Sequence, residues 1–442
     1  MATLQGFGQL KSGKYFYEVT EYYSKQYVSQ ARQDNPELSK QFQDDSEFMK
    51  QPGVQDSLKT DPSAPVWLGG IAEKMGIKGN VVLLEDFQNA CAGYDPTSDL
   101  NNNPIKLADT AYDIVEGKIQ TPESEVDNRR VGFEQIIGMS KEFSTLRAMS
   151  SREDQQKLDA MVNVAMTRMF SEMEKLATVR KNGKEEPVDG LLAVPHFHFE
   201  NRGAKDKNPQ PFSHIHFVIL NTCMKDGKYY ALNSESIAKH KPYLNQVFSS
   251  TLTQLMREEG YEMVAKYNST DANSERLKDG QKGVQTMVPK VPEEAVVLFS
   301  ERKIEMENNV KASRAEISDD ADFINDSPTH REMAIAQKED KNEKSKESIA
   351  DMDSRWKREL LALNPKYTPE FASSLKTGKQ KNLGQSDLDK AIKEHCSKNK
   401  ITIEQFEKNI LEGFDRHSKK IASSEGAIKN YMTQYFLQWA DK

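Results

Sequence analysis

Long apolar runs, paired cysteines and an excess of basic charge are all missing from this 442-residue sequence. No stretch approaches the ~18–20 apolar residues of a membrane helix, and the first 27 residues lack the apolar core of a signal peptide. Cys91, Cys223 and Cys396 form no CxxC motif or paired framework, which favours a reducing, cytoplasmic setting. A net charge of −7 argues against bulk coating of nucleic acid, but a local basic patch is still compatible with a DNA enzyme.

Residues 151–260 have clear patterns of alternation and helical spacing. Apolar residues at helical spacing predict an amphipathic helix over 151–180. Alternating patterns at 190–199 and 214–222 predict two strands, and Asp226-Gly227 predicts a tight turn into a third strand at 228–232. Ser234 is a candidate cap for the helix that follows, which we expect to end at Gly260.

Other parts of the chain give coarser predictions. Residues 34–64 indicate a loop or weak helices, and 67–79 and 81–93 predict two short helices. Residues 132–143 predict a strand that continues into a helix, and the heavily charged stretch 301–358 is predicted to be helical. No repeat of fixed period occurs, so the pattern indicates an α+β catalytic domain, a charged helical segment and a small helical tail.

Four of the eight histidines lie within 21 residues, as His196-Phe197-His198 and His214-Ile215-His216. Side chains alternate along a strand, so the two histidines of each pair share a face. If the two strands pair antiparallel, one of the first two histidines completes a three-imidazole metal site with the second pair. A single pair of this kind is usually an ordinary surface or core feature, and the repetition on adjacent strands is what favours a metal.

An aromatic cluster and one carboxylate are the other candidates for chemistry. Tyr15 and Tyr22 are seven residues apart and share a face if they lie on a helix, where packing into a core is the ordinary explanation. A tyrosine is also a covalent nucleophile when its target is activated by a base or a metal. Glu134, within GFEQIIG, is a candidate base or a hydrogen-bond partner for a ligating histidine, or simply a surface-facing strand residue.

In their order along the chain, these segments resemble the conjugative relaxases of the MobF (TrwC/TraI) class, within the HUH endonuclease superfamily. The resemblance covers roughly residues 10–360. The blocks that carry it are GKYFYEVTEYY (13–23), WLGGIAEKMGIKG (67–79), GFEQIIGMSKEFS (132–144), FHFENR (197–202), HIHFVILN (214–221) and DGKYYALNSESI (226–237).

The resemblance implies a role for each matching position. Tyr15 matches the nucleophile, and Tyr22 matches a second tyrosine linked to later strand transfer. His198, rather than His196, matches the first ligand of a divalent cation, with His214 and His216 as the others. Glu134 stands where the family has an aspartate that assists the tyrosine or orients a histidine. Arg202 and Lys141 match an arginine and a lysine that we expect to contact DNA.

The sequence departs from the family pattern at several points. Phe16 replaces the second tyrosine of the first pair, and Glu134 is one methylene longer than the family aspartate. The connection between His198 and His214 is longer than usual, and Gly138-Met139-Ser140 replaces a serine–alanine–proline stretch. No GxxxxGK[ST] loop of the helicase that often follows occurs in this sequence, so we expect a relaxase without that helicase or a truncated chain.

The resemblance also implies an architecture. We expect an α+β fold in which an antiparallel HUH palm is flanked by helices, with a helical fingers region and a helical C-terminal extension. The implied division is a relaxase domain over 1–310 with fingers at about 235–310, a charged helical segment over 311–365 that completes it, and a small helical domain over 366–442.

The implied function is strand-specific nicking and strand transfer of single-stranded DNA at a plasmid transfer origin, through a 5′-phosphotyrosine link. Mg²⁺ or Mn²⁺ is the expected metal, and conjugation accessory and coupling proteins are expected partners. The implied location is the bacterial cytoplasm, with transport alongside the transferred DNA as an extension of that expectation.

The sequence leaves three other functions open. A rolling-circle replication initiator uses the same histidines and tyrosine, but its tyrosine usually follows the histidines, whereas here the tyrosines precede them by about 180 residues. A single-stranded DNA-binding protein that has lost catalysis would account for Phe16 and Glu134. An iron or zinc enzyme with two histidines and a carboxylate would leave the tyrosine block unexplained.

Overall fold

A five-stranded antiparallel sheet is the centre of the fold seen in the computed structural model. The residues that the structure describes are 3–10, 27–29, 31–32, 34–108, 111–115, 118–120, 130–201, 203, 207–267, 285–326, 328–329, 332–333, 335–336, 347–378, 393, 396–397, 400, 402 and 405. The strands of the sheet are β1 (Thr3–Leu10), β4 (Gly132–Gly138), β7 (Gly190–Glu200), β8 (Pro211–Lys225) and β9 (Lys228–Tyr230). Their order is β1-β4-β8-β7, and β9 pairs with β8.

Three two-stranded ribbons accompany the sheet: β2 (Ile114–Val115) with β3 (Lys118–Ile119), β5 (Thr178–Lys181) with β6 (Lys184–Pro187), and β10 (Met263–Tyr267) with β11 (Gln285–Pro289). The helices are α1 (Pro36–Gln41), α2 (Asp45–Met49), α3 (Pro52–Thr60), α4 (Gly70–Lys74), α5 (Leu84–Ala92), α6 (Lys141–Met149), α7 (Arg152–Leu176), α8 (Ser234–Ala238), α9 (Lys241–Glu259), α10 (Glu293–Leu298), α11 (Glu301–Ala315), α12 (Ala321–Asn325), α13 (Ile349–Leu363) and α14 (Pro369–Ser374). In the part of the chain that is described, none of the helices has the length and apolar character needed to span a membrane.

The two faces of the sheet are covered by different layers, as the alternation of side chains along a strand requires. On β8, Ile215, Phe217 and Ile219 belong to the main core, which the helices α6, α7 and α9 also enter. Val218 and Leu220 point to the opposite face and belong to a second cluster with residues of α4 and α5. Both histidines of β8 occupy even-numbered positions, so they share the face of this second cluster.

A buried ion pair joins α6 to α7 within the main core. Arg147 and Asp159 make two hydrogen bonds of 2.8 Å, and their side chains are only 3% and 4% exposed. The Arg147 guanidinium also lies 3.5 Å from the centre of the Phe199 ring on β7. This pair fixes both helices relative to the strand that carries the first histidine pair.

Most of the predicted elements are present. The helix predicted over 151–180 is α7, and the predicted strands at 190–199 and 214–222 are β7 and β8. Asp226 and Gly227 have positive φ in the turn between β8 and β9, as the hairpin signal predicts. Gly260, with φ of 105°, ends α9.

Other elements differ from the sequence-based predictions. The segment after Ser234 forms two helices, α8 and α9, and Ser234 is the first residue of α8, since Asn233 occupies the capping position. The strand β1 and the ribbons β5–β6 and β10–β11 were not predicted. Residues 367–376 pack on the main core, where Tyr367 and Ala372 join its cluster and Lys376 pairs with Tyr261 in a β-bridge.

Candidate metal centre

One hairpin, β7–β8, carries the three histidines that the sequence singled out as metal ligands. In the antiparallel register, His198 lies opposite His214 and His196 lies opposite His216. The donor atoms of His198, His214 and His216 all lie within 4.8 Å of one another. Nitrogen ligands about 2.1 Å from a shared ion are roughly 3–4 Å apart, so small ring rotations bring these three onto one ion.

Hydrogen bonds orient two of the three rings. His214 Nδ1 donates to the Phe212 carbonyl oxygen at 2.9 Å, and His216 Nδ1 lies 2.7 Å from Glu134 Oε1. A carbonyl and a carboxylate oxygen only accept, so both rings carry their proton on Nδ1 and present the lone pair of Nε2. This is the tautomer that a metal ligand needs, and the donor set therefore fits a divalent metal ion.

Glu134 lies on β4, beside the ligand-bearing β8. It is opposite Val218 in the β4–β8 register, whereas Ile136 lies opposite His216, so the carboxylate reaches His216 along the diagonal. Both side chains of this pair are mostly buried, with 18% of His216 and 14% of Glu134 exposed. Of the two roles that the resemblance implies for this acid, the structure places it in contact with a histidine.

His196 is not in this group of three histidines, although it shares their face of the sheet. Its ring is buried and lies 5.1 Å from the ring of Phe87 in α5. Burial and, to a smaller extent, the neighbouring His216 lower the pKa of His196 to about 3, so the ring is neutral at physiological pH. The residue pattern left His196 and His198 as alternatives, and the donor atoms that lie within 4.8 Å of one another belong to His198, His214 and His216.

Of the remaining predicted site residues, only Lys141 is among those that the structure describes. Tyr15, Tyr22 and Arg202 lie outside the described residues. Lys141 begins α6, and its amine donates to the carbonyl oxygen of Pro211, at the start of β8, over 2.8 Å. Burial lowers the pKa of this amine to about 7.

Two contacts at the site were not anticipated from the sequence. They are the Phe212 carbonyl that orients His214, and the carbonyl of Pro209, which accepts from Trp356 of α13 at 2.9 Å. Backbone carbonyls have no sequence signature, and a contact across 147 positions leaves no local pattern. Only the three-dimensional arrangement identifies them.

Solved structures of the conjugative relaxase TrwC are similar to this chain, among them a complex with a mutant OriT DNA (19% identity, TM-score 0.49, 70% of this chain and 95% of that chain covered). A copper-bound complex with OriT DNA gives 20% identity, a TM-score of 0.49 and coverages of 70% and 94%. A complex with a 27-mer DNA comprising the recognition hairpin and the cleavage site gives 20%, 0.47, 69% and 93%.

A search among curated proteins found no match. The family model described as TrwC relaxase matches residues 18–363, which is most of the chain. This range includes Tyr22, Glu134 and the three grouped histidines, and it begins three positions after Tyr15. It also agrees with the extent over which the ordered sequence blocks resemble these enzymes. The chain belongs to the TrwC relaxase family, whose members are the DNA-nicking relaxases of conjugation.

Proposed function

We propose that this relaxase cleaves one strand of DNA at a transfer-origin nick site with Tyr15 as its nucleophile. The observation that carries the proposal is the arrangement of His198, His214 and His216 around one point, with Glu134 holding His216. Three neutral imidazoles with a carboxylate behind one of them form a metal-binding group at which a phosphodiester can be held.

A divalent ion bound there would polarise the scissile phosphate and offset the charge that grows on its oxygens in the transition state. We propose Mg²⁺ or Mn²⁺ as the ion, because availability and geometry decide which metal occupies a site in the cell, even where nitrogen donors favour softer ions. The chain's own contribution is orientation: Phe212 and Glu134 fix the tautomers of His214 and His216 before the substrate arrives.

The proposed covalent step is a transesterification. The Tyr15 hydroxyl oxygen attacks phosphorus in line and forms the Tyr–O–P bond as the bond from phosphorus to the 3′ oxygen breaks. The tyrosine proton passes to solvent, and the leaving 3′ oxygen takes a proton from solvent to become a hydroxyl. The 5′-phosphotyrosine keeps the energy of the original ester, so attack by a 3′-hydroxyl rejoins the ends, and Tyr22 is proposed for a second strand transfer.

Recognition of the substrate is proposed from the relatives and from two cationic residues. The similar TrwC structures contain OriT DNA, and we propose a single-stranded OriT site as the substrate of this chain. Arg202 and Lys141 are the proposed DNA contacts. Accessory and coupling proteins of conjugation are proposed partners, with the cytoplasm as the place of action and transport with the DNA as a later step.

The alternatives have less support. A rolling-circle initiator is not favoured by a match to the TrwC relaxase family. A DNA-binding protein without catalysis would not need the hydrogen bonds that prepare two of the three histidines to ligate a metal. The tyrosine chemistry is therefore the part of the proposal that an experiment has to decide.

A covalent-adduct assay tests whether Tyr15 is the nucleophile. The full chain is mixed with labelled single-stranded oligonucleotides that span candidate nick sites, with Mg²⁺ or Mn²⁺ and then with a chelator. We expect a metal-dependent protein–DNA adduct that disappears in Tyr15→Phe and in His214→Ala.

Tyr17→Phe and Tyr22→Phe are the matched controls, because they remove the same hydroxyl from neighbouring positions of the block. The first nicking event should survive both of them. An adduct that persists in Tyr15→Phe and disappears in Tyr22→Phe would move the nucleophile to Tyr22. A wild-type chain that binds every strand and forms no adduct would leave the catalytically inactive alternative.

A further inference from the structure

The three metal ligands lie near the closed end of the β7–β8 hairpin. His198 is two residues before the end of β7, and His214 is three residues after the start of β8. The pairing shifts register between His198 and Glu200, so the ladder is irregular at this end. The distance between His198 and His214 therefore depends on how the residues just before β8 are held.

A helix far along the chain holds the first of these residues. In α13, Trp356 Nε1 donates to the Pro209 carbonyl oxygen at 2.9 Å, and Arg355 Nη2 donates to the same oxygen at 3.0 Å. Trp356 is 1% exposed and Pro209 is buried. The Arg355 guanidinium is oriented by carboxylates of Glu347 at 2.9 Å and Glu359 at 3.1 Å. Both lone pairs of a buried carbonyl are thus used.

The next two residues are held by other helices. Gln210 Nε2 donates to the carbonyl of Leu298 at the end of α10 and to Glu301 at the start of α11, both at 3.1 Å. The carbonyl of Pro211 accepts from Lys141 at 2.8 Å. Three consecutive residues, the last two before β8 and the first of β8 itself, are therefore each fixed by a separate part of the fold.

We infer that Trp356 is a positioning residue for the metal centre, acting together with Arg355 through the carbonyl of Pro209. The inference rests on the proposed function, since it assumes that the triad binds a metal. Loss of the indole N–H removes a hydrogen bond from a buried carbonyl and loosens the start of β8. The pairing of His214 with His198 is then less well defined, and the three donor atoms converge less often on one point.

The alternative is that Trp356 only fills space, because its ring also belongs to the main core. Trp356→Phe separates the two roles, since it keeps most of the aromatic ring and removes the donor. Mn²⁺ alone is titrated into the full chain by calorimetry. We expect one binding site and a Kd weakened about three- to tenfold, the effect of roughly one lost hydrogen bond.

Tyr243→Phe is the matched control. Tyr243 is a buried aromatic residue of α9 that donates to Glu172 Oε2 of α7 at 2.8 Å, away from the hairpin end. We expect it to lower the melting temperature by a similar amount and to leave the Kd for Mn²⁺ unchanged. Arg355→Met removes the second donor from a more accessible side chain, and it provides the same test if Trp356→Phe does not fold.

The inference would be overturned if folded Trp356→Phe bound Mn²⁺ with the same Kd as the wild type. The same holds for Arg355→Met where that variant is used instead. Equal weakening in Tyr243→Phe would overturn it as well, since general destabilisation would then explain the effect. A wild-type chain that binds neither Mn²⁺ nor Mg²⁺ would overturn the metal centre itself, which is the failure of the proposed function and is recognisable without any variant.

Discussion

Glu134 Oε1 lies 2.7 Å from Nδ1 of His216, although the two residues are 82 positions apart and are not opposite each other in the sheet. On β8, the strand that carries His216, the residue opposite Glu134 is Val218. Diagonal neighbours on antiparallel strands are about 7–8 Å apart, a span that favours a long side chain over a short one. The length of the glutamate side chain thus lets Glu134 reach His216 along this diagonal.

Replacement of Glu134 should weaken metal binding in a graded order. Glu134→Ala removes the acceptor that fixes the His216 tautomer, so we expect the Kd for Mn²⁺ to rise about 10- to 100-fold. Glu134→Gln keeps an acceptor oxygen and should weaken binding less, and Glu134→Asp should fall between them because its shorter arm must cross the same diagonal. Calorimetry measures the series, and equal affinities for Glu134→Ala and wild type would contradict the orienting role.

The same variants distinguish the two roles that the family resemblance allows for this acid. If Glu134 only orients His216, saturating Mn²⁺ should restore the nicking rate of Glu134→Gln to near the wild-type rate. If it also accepts the proton of Tyr15, the rate should stay at least tenfold low at any metal concentration. The measurement is the initial rate of adduct formation at several Mn²⁺ concentrations.

The choice of His198 over His196 gives a second prediction. His198→Gln should abolish detectable Mn²⁺ binding, because it removes one of three ligands. His196→Gln should leave the affinity close to that of the wild type and should lower the melting temperature, because the buried ring packs against Phe87. Loss of Mn²⁺ binding in both variants would show that the ligand set is larger than the triad.

How much of the site the sequence predicts depends on the range of the interaction. Alternation places His214 and His216 on one face, and the Asp226-Gly227 turn correctly predicts the strand that follows. The pairing of His198 with His214 follows once the two strands are antiparallel neighbours. These features are encoded locally, with a period of two or a specific turn.

The missing parts of the prediction have physical causes. The strand β1 pairs with β4 across more than 120 positions, and its segment TLQGFGQL has little β-branched or alternating character. The ribbon β10–β11 has its strands 17 residues apart, without a short turn to mark a hairpin. The contact of Trp356 with the hairpin end is a side chain meeting a backbone carbonyl, which no spacing reveals.

Lys141 should give the protein a pH-dependent stability. Burial lowers the pKa of its amine from 10.5 to about 7, so between those values the unfolded chain binds more protons than the folded one. The free energy of unfolding therefore increases with pH over that window through this group. The difference in unfolding free energy between wild type and Lys141→Met should rise from pH 7 to pH 10 in urea titrations, and a constant difference would contradict the assignment.

The proposed contact of Lys141 with DNA is tested by salt dependence. The test is made at pH 6, below the amine pKa of about 7, where Lys141 is protonated. A lysine that neutralises one phosphate releases about one counterion, so Lys141→Met should then reduce the slope of log K against log salt by about 0.7 for a single strand. An unchanged slope would show that the amine serves the Pro211 carbonyl and not the DNA. Fluorescence anisotropy with a labelled single strand, at four or more salt concentrations, measures the slope.

Gly190 should be intolerant of any side chain, for a reason that is separate from metal binding. It begins β7 where that strand meets the start of α4, and a Cβ atom there would lie 2.7 Å from Cα of Gly70. Glu174 Oε1 holds the two segments together, because it accepts hydrogen bonds from the backbone N–H groups of Gly70 at 2.8 Å and Leu191 at 2.9 Å. The atoms that this Cβ would meet belong to the backbone of α4, which cannot move aside as a flexible side chain can. Gly190→Ala should therefore lower the free energy of unfolding by about 1–3 kcal/mol.

Gly53→Ala is the comparison for that variant, because a Cβ at Gly53 meets only the end of the flexible Leu38 side chain, at 3.3 Å. Its effect should stay within about 1 kcal/mol, since alanine is the better helix former in α3. Gly190 is also about 26 Å along the strand from His198, eight residues away. Gly190→Ala should therefore lower stability and leave the Kd for Mn²⁺ unchanged, whereas Trp356→Phe should change that Kd. If both variants shifted metal affinity in proportion to their loss of stability, the centre would be sensitive to the stability of the whole domain and not to the hydrogen bonds at the hairpin end.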